Sequence, residues 1–175
     1  DSAGHGTVKF VTSYELLRLD IGNIGQLIVG QGQNLTLYYL LQAYNSYLEM
    51  GSRLTIAQAV GISGFVDGDV DHHGELVLEN TYTSTASDGV PFSIGSKHPL
   101  QNIQVADGKT LTFKLSFPNS DPPKVLNPAQ SITLGQNSVL DITTNTNSYL
   151  GYMDLHSAVD GSSENFGQMS ISGAA

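Results

Sequence analysis

Residues 102–115 decide the fold prediction, and they read Asn102-Ile103-Gln104-Val105-Ala106-Asp107-Gly108-Lys109-Thr110-Leu111-Thr112-Phe113-Lys114-Leu115. Apolar side chains alternate with polar ones on both sides of Asp107-Gly108, and this period of two is typical of half-buried β-strands. Asp-Gly between two such runs is a strong local signal for a hairpin turn. The stretch therefore predicts two antiparallel strands joined by a tight turn.

The same pattern recurs along the chain at residues 30–40, 62–82 and 131–142, each time with glycine, asparagine or aspartate between alternating runs. Short apolar runs at residues 13–19 and 54–60 are compatible with either a helix or a strand. The spacing between the strand pairs is irregular, so no repeat array is predicted. We expect a single all-β domain over residues 1–175, folded as an antiparallel β-sandwich or jelly roll.

Composition restricts the class of protein. The 175-residue chain has no cysteine, which excludes thiol catalysis and disulfides, and it has no apolar run of the length that a membrane-spanning helix needs. Only 13% of its residues are charged, with seven Lys and Arg against sixteen Asp and Glu and a net charge of -9. Nucleic acid is a poor partner for such a chain, because binding phosphates requires clustered basic residues.

The two ends of the sequence suggest arms and an exported protein. Residues 1–6 and the Gly- and Ser-rich residues 160–175 are predicted to be flexible terminal segments that could order against a neighbouring copy. The chain begins at Asp1, which is compatible with removal of a leader. We therefore expect an extracellular location, at a cell surface or in a virion.

Residues 67–75, Asp-Gly-Asp-Val-Asp-His-His-Gly-Glu, are a candidate metal-binding loop. Carboxylates at Asp67, Asp69, Asp71 and Glu75 could supply the oxygen ligands that Ca²⁺ prefers. The loop resembles Asp-x-Asp-x-Asp-Gly calcium loops, but histidine stands at the position of the usual glycine. The alternatives are a solvated acidic turn, or a transition-metal site at His72 and His73. Calcium is the one possible cofactor that the sequence indicates.

Tyrosines supply a second candidate site. They fall in two clusters, and tyrosine is enriched at recognition surfaces because it combines apolar area with a polar tip. The alternative is that these rings help to build the core. The predicted surface-recognition residues are Tyr38, Tyr39, Tyr44, Tyr47, Tyr149 and Tyr152.

The sequence contains no recognisable catalytic motif. It has no Gly-x-Ser-x-Gly nucleophile elbow and no glycine-rich loop that leads into a helix to bind phosphate. We therefore predict that the protein is not an enzyme.

Residues 4–10, Gly-His-Gly-Thr-Val-Lys-Phe, resemble the opening strand of chaperone–usher pilins. The resemblance covers seven residues and implies a subunit of a surface filament. The chain departs from that family because it lacks the cysteine pair and does not end in an alternating aromatic strand.

Three functions are compatible with these features. The first is a structural or adhesive subunit that assembles with copies of itself through edge strands or terminal arms, as in a pilus-like filament. The second is a viral capsid or attachment protein with a jelly-roll fold. The third is a calcium-assisted carbohydrate-binding module, whose partner would be a glycan or a host surface.

Overall fold

The described part of the chain contains fourteen β-strands. The computed structural model describes residues 6–22, 24–57, 62–71, 73–86, 92–95, 97–115, 128–144 and 168–173. The strands are β1 (Thr7–Phe10), β2 (Tyr14–Asp20), β3 (Gln26–Val29), β4 (Asn34–Leu48), β5 (Arg53–Ile56), β6 (Ile62–Gly68), β7 (Glu75–Leu78), β8 (Tyr82–Ala86), β9 (Phe92–Ile94), β10 (Leu100–Val105), β11 (Thr110–Leu115), β12 (Ala129–Leu134), β13 (Val139–Thr144) and β14 (Gln168–Gly173).

Every strand pairing among the described residues is parallel, so the prediction of an antiparallel sandwich or jelly roll is wrong. Thr7 pairs with Gln26, Gln26 pairs with Asn45, and later Asn102 pairs with Ser131. Each partner lies one turn of the chain further on, so the chain winds in stacked coils. This architecture is a β-solenoid, in which each coil contacts its neighbours along the axis.

The coils stack their strands in three columns. The first column contains β1, β3, the second half of β4, β6 and β9, and the second contains β2, the first half of β4, β5, β7, β10 and β12. These two columns form one ten-stranded sheet because β4 is long enough to pair in both. The third column is a separate four-stranded sheet of β8, β11, β13 and β14.

Aliphatic side chains fill the inside of the solenoid in ladders that run from coil to coil. In the second column the register aligns five buried residues, Leu35, Leu54, Leu76, Ile103 and Ile132. Burying each such side chain contributes about 1.5–3 kcal/mol relative to leaving it in water. The alternation in the sequence was therefore a correct indication of strands with one buried face.

The turn at Asp107-Gly108 shows why the hairpin prediction failed. It joins β10 of the larger sheet to β11 of the smaller one, so it is a corner of the coil rather than a hairpin. Gly108 has a positive φ of 65°, which glycine adopts without strain. The Asp107 carboxylate accepts a hydrogen bond from the backbone amide of Gln136, at 2.8 Å, in the corner of the next coil.

The terminal segments are described only in part. Gly6 accepts a backbone hydrogen bond from Gln26 at 2.8 Å. Residues 168–173, within the predicted C-terminal arm, form β14 and pair with β13. Residues 1–5, 160–167 and 174–175 lie outside the described part of the chain. A search of the described residues finds no helix of the length and apolar character needed to cross a membrane.

Candidate functional site

The outer surface of the second column carries a continuous row of polar side chains. The register places Arg53 beside Glu75, Glu75 beside Asn102, and Asn102 beside Ser131. We call this surface, formed by the outward side chains of β2, the first half of β4, β5, β7, β10 and β12, the polar face. Parallel strands lie about 4.8 Å apart, so six strands give the polar face a length of about 24 Å along the axis.

A chain of hydrogen bonds fixes the middle of the polar face. Arg53 donates to Glu75 Oε2, with Nε at 2.7 Å and a terminal guanidinium nitrogen at 2.6 Å. The Asn102 amide nitrogen donates to Glu75 Oε1 at 3.1 Å. Ser131 and Thr133 in turn donate their hydroxyl hydrogens to the Asn102 amide oxygen, at 2.9 and 3.2 Å. Each of these side chains is therefore held in a defined orientation before any ligand binds.

Two shallow cavities lie on the polar face. One, of about 350 Å³, is lined by Glu75, Gln101, Asn102, Ser131 and Thr133. The other, of about 400 Å³, belongs to the earlier coils, and its lining residues are Ser13, Tyr14, Glu15, Asn34, Thr36, Arg53 and Thr55. The Arg53–Glu75 ion pair connects the two, because each partner lines one of the cavities.

The structure separates the four carboxylates of the predicted calcium loop. Glu75 is part of the polar face, whereas Asp67 is completely buried on the first column. Asp69 accepts hydrogen bonds from the backbone amides of Asp71 and His73, each at 3.1 Å, and its Oδ2 lies 3.0 Å from His73 Nδ1. Within the described ranges no group of three or more potential metal ligands is found. The calcium site stays a prediction, and His72 lies outside the described residues.

The pKa values of the Asp67 and Asp69 carboxyls shift in opposite directions because their surroundings differ. Burial raises the pKa of the Asp67 carboxyl, although backbone hydrogen bonds from Lys97 and His98 oppose the shift. Burial also acts to raise the pKa of Asp69, but hydrogen bonds from His73 outweigh it and the net pKa is lowered. Asp67 Oδ1 accepts from the Lys97 amide at 3.1 Å, while its Oδ2 is buried with no hydrogen-bond partner.

The predicted tyrosines do not form a single site. The Tyr38 hydroxyl donates to Glu15 Oε2 at 3.1 Å, beside the polar face. Tyr44 lies on another surface, where its ring packs edge-on against Phe65 at 5.7 Å and the Lys97 ammonium is 5.1 Å from the ring centre. Tyr39 is about half exposed, at 48%.

Tyr47 is the last of the predicted tyrosines that the structure describes. Tyr47 is half-buried, and burial together with the nearby Asp67 raises the pKa of its hydroxyl. Tyr149 and Tyr152 lie outside the described residues. Recognition by these tyrosines therefore stays a prediction.

A second candidate surface is the coil that contains β1 and β2, which we call the first coil. Among the described strands, β1 pairs with β3 alone and β2 pairs with β4 alone, so each has one edge that no described strand covers. Val11, Tyr14 and Leu17 are 69%, 52% and 66% exposed there. Leu16 and Leu19 are only partly buried where they pack against the core. The apolar interior thus meets the surface at this end of the described coils.

Comparisons of the chain with protein-family models, with curated proteins and with solved structures find no match in any of the three. The functional argument therefore rests on the geometry above. Sequence reasoning missed the polar face because its members come from six strands that are far apart in the chain.

Proposed function

We propose that the protein is a non-enzymatic, extracellular structural or adhesive subunit that assembles head to tail with copies of itself. The observation that carries this proposal is the coil of β1 and β2, where each strand has an edge that no described strand covers, next to exposed apolar side chains. Uncovered edges of this kind are templates for the addition of further strands.

The opposite end of the second column offers a matching surface. β12 pairs with β10 and with no other described strand. Its Ile132 and Leu134 belong to the same two register rows as Tyr14 and Leu16 of β2, because the register continues through every coil between them. A second copy placed with β2 against β12 would continue both rows. A contact between different surfaces of identical subunits produces an open filament when the rotation does not close.

The hydrogen bonds of the polar face support a structural rather than a catalytic role. Glu75, the most highly connected carboxylate of the polar face, is engaged on both oxygens by structural hydrogen bonds. Such a carboxylate is suited to holding the surface in shape rather than to moving protons.

The test is to measure assembly of the 175-residue chain by analytical ultracentrifugation and negative-stain electron microscopy. Val11→Lys combined with Leu17→Lys places two charges on the open coil and should abolish filaments, since charge on an edge opposes strand addition. The matched control is Val70→Lys, because Val70 is 73% exposed but lies in the loop after β6. This control should assemble like the wild type.

Three outcomes would contradict the proposal. One is a wild-type chain that stays monomeric at about 1 mM, which is a generous limit for a specific contact. Another is equal assembly of the double variant and the wild type. A third is strong hydrogen-exchange protection of the β2 amides in the monomer, which would show that the chain's own segments cover the edge. Closed shells instead of filaments would support a capsid-like subunit.

A further inference from the structure

We infer that the polar face is a binding surface for an uncharged, linear glycan that lies along the solenoid axis. Two cavities of about 400 and 350 Å³ occupy the same face of the same strand column, and they are joined at the Arg53–Glu75 pair. Together they form a shallow trough about 24 Å long, calculated from the strand spacing. A trough of this shape fits an extended polymer better than a compact ligand.

The chemistry of the trough matches hydroxyl groups. Nine of its lining residues carry a hydroxyl or amide group, and these groups both donate and accept hydrogen bonds, as sugar hydroxyls do. They are Ser13, Tyr14, Asn34, Thr36, Thr55, Gln101, Asn102, Ser131 and Thr133. Such groups lie on or next to every strand of the polar face except β7, where Glu75 lines the trough, so a repeating polyol meets hydrogen-bonding partners along most of its length.

The hydrogen-bond chain described above orients these groups in advance. Asn102 uses one amide hydrogen on Glu75 and retains a second one. Thr133 donates to Asn102, so the lone pairs of its hydroxyl can accept a hydrogen bond from a ligand. Because these side chains are already fixed by protein contacts, a ligand does not have to bear the full entropic cost of ordering them.

The charges of the trough argue against binding of nucleic acids and acidic glycans. The two oppositely charged side chains in the centre, Arg53 and Glu75, neutralise each other at 2.6 Å. Glu15 adds a negative charge at one end of the trough, and the whole chain carries a net charge of -9. Nucleic acids and sulfated or uronic-acid glycans would meet repulsion without clustered Lys or Arg to offset it. An extended peptide would need a free strand edge, which the face of a sheet does not offer.

The experiment is isothermal titration of the chain with neutral α- and β-linked glucan, mannan and galactan oligosaccharides, with sulfated oligosaccharides as the charged comparison. Gln101→Ala and Thr133→Val change exposed side chains of the trough, and each should weaken binding of the neutral ligand by about three- to tenfold, the effect of one lost hydrogen bond. Thr83→Val is the matched control, because Thr83 is an exposed strand threonine in the third column. It should leave the affinity unchanged.

Each result of the titration either supports or overturns the inference. Binding of a neutral oligosaccharide that weakens in Gln101→Ala and Thr133→Val, but not in Thr83→Val, supports the inference. The inference is overturned if none of the neutral ligands binds at about 1 mM, if only the sulfated ligands bind, or if all three variants bind equally. Thr133 lies in β12, which the proposed filament contact also uses, whereas Gln101 lies in β10, so Gln101→Ala separates failure of glycan binding from failure of filament formation.

Discussion

Leu76→Ala tests the parallel register of the core. Leu76 is completely buried in β7, and the register places Leu54 of β5 on one side and Ile103 of β10 on the other. Strand pairing on both sides holds the backbone, so the neighbours have little freedom to fill the space. The loss should therefore lie above the low end of the range for buried leucine, at about 3–4 kcal/mol. Val70→Ala, at a residue 73% exposed, should change stability by less than about 0.5 kcal/mol.

Urea unfolding followed by circular dichroism measures this change. With a denaturant slope of about 2 kcal/mol per molar, the Leu76→Ala midpoint should fall by about 1.5–2 M. A double-mutant cycle with Ile103→Ala adds a direct test of adjacency, since residues in contact show coupling of about 0.5–3 kcal/mol. A midpoint shift no larger than that of Val70→Ala, or strictly additive effects of Leu76→Ala and Ile103→Ala, would refute the reasoning.

Three further predictions test other parts of the structure. Gly64 has a φ of 96°, and an added Cβ would collide with the backbone of the preceding coil. Gly64→Ala should therefore lower the free energy of unfolding by more than about 3 kcal/mol. A loss below about 1 kcal/mol would contradict the local geometry. Because burial raises the pKa of Asp67, the folded protein favours the protonated form of this carboxyl. The stability contributed by the protonated carboxyl is complete below about pH 4 and is lost as the pH rises through the raised pKa. The melting temperature of Asp67→Asn relative to the wild type should therefore rise between about pH 4 and pH 7, and a constant difference would exclude this effect. Thr83 and Thr112 are register partners in adjacent parallel strands, so cysteines introduced at both positions of this cysteine-free chain should be joined within one molecule by a short thiol-reactive cross-linker, as detected by intact mass. Cysteines at Thr83 and Thr133 serve as the unpaired control, and equal cross-linking yields in the two pairs would contradict the register.

The candidate sites were predictable only where the relevant residues are close together in the sequence. The Asp69–His73 hydrogen bond lies within the acidic loop that the sequence singled out. The polar face was not predictable, because Arg53, Glu75, Asn102 and Ser131 become neighbours through offsets of 22, 27 and 29 residues. Coils of unequal length leave no fixed period in the sequence, so the stacking was hidden from a search for repeats.

The sequence by itself determined that the chain is made of strands and, where the alternation is regular, which side of the strand is buried. Alternation at Leu111 and Phe113, for example, is a local property that depends only on the two-residue period of a strand, and both residues are buried. The direction of pairing was decided by the tertiary structure. The same alternation suits antiparallel and parallel neighbours, and Asp107-Gly108 can close either a hairpin or the corner of a coil. The corner forms here because each strand finds its hydrogen-bond partner one coil away, where the aliphatic rows of successive coils continue one another.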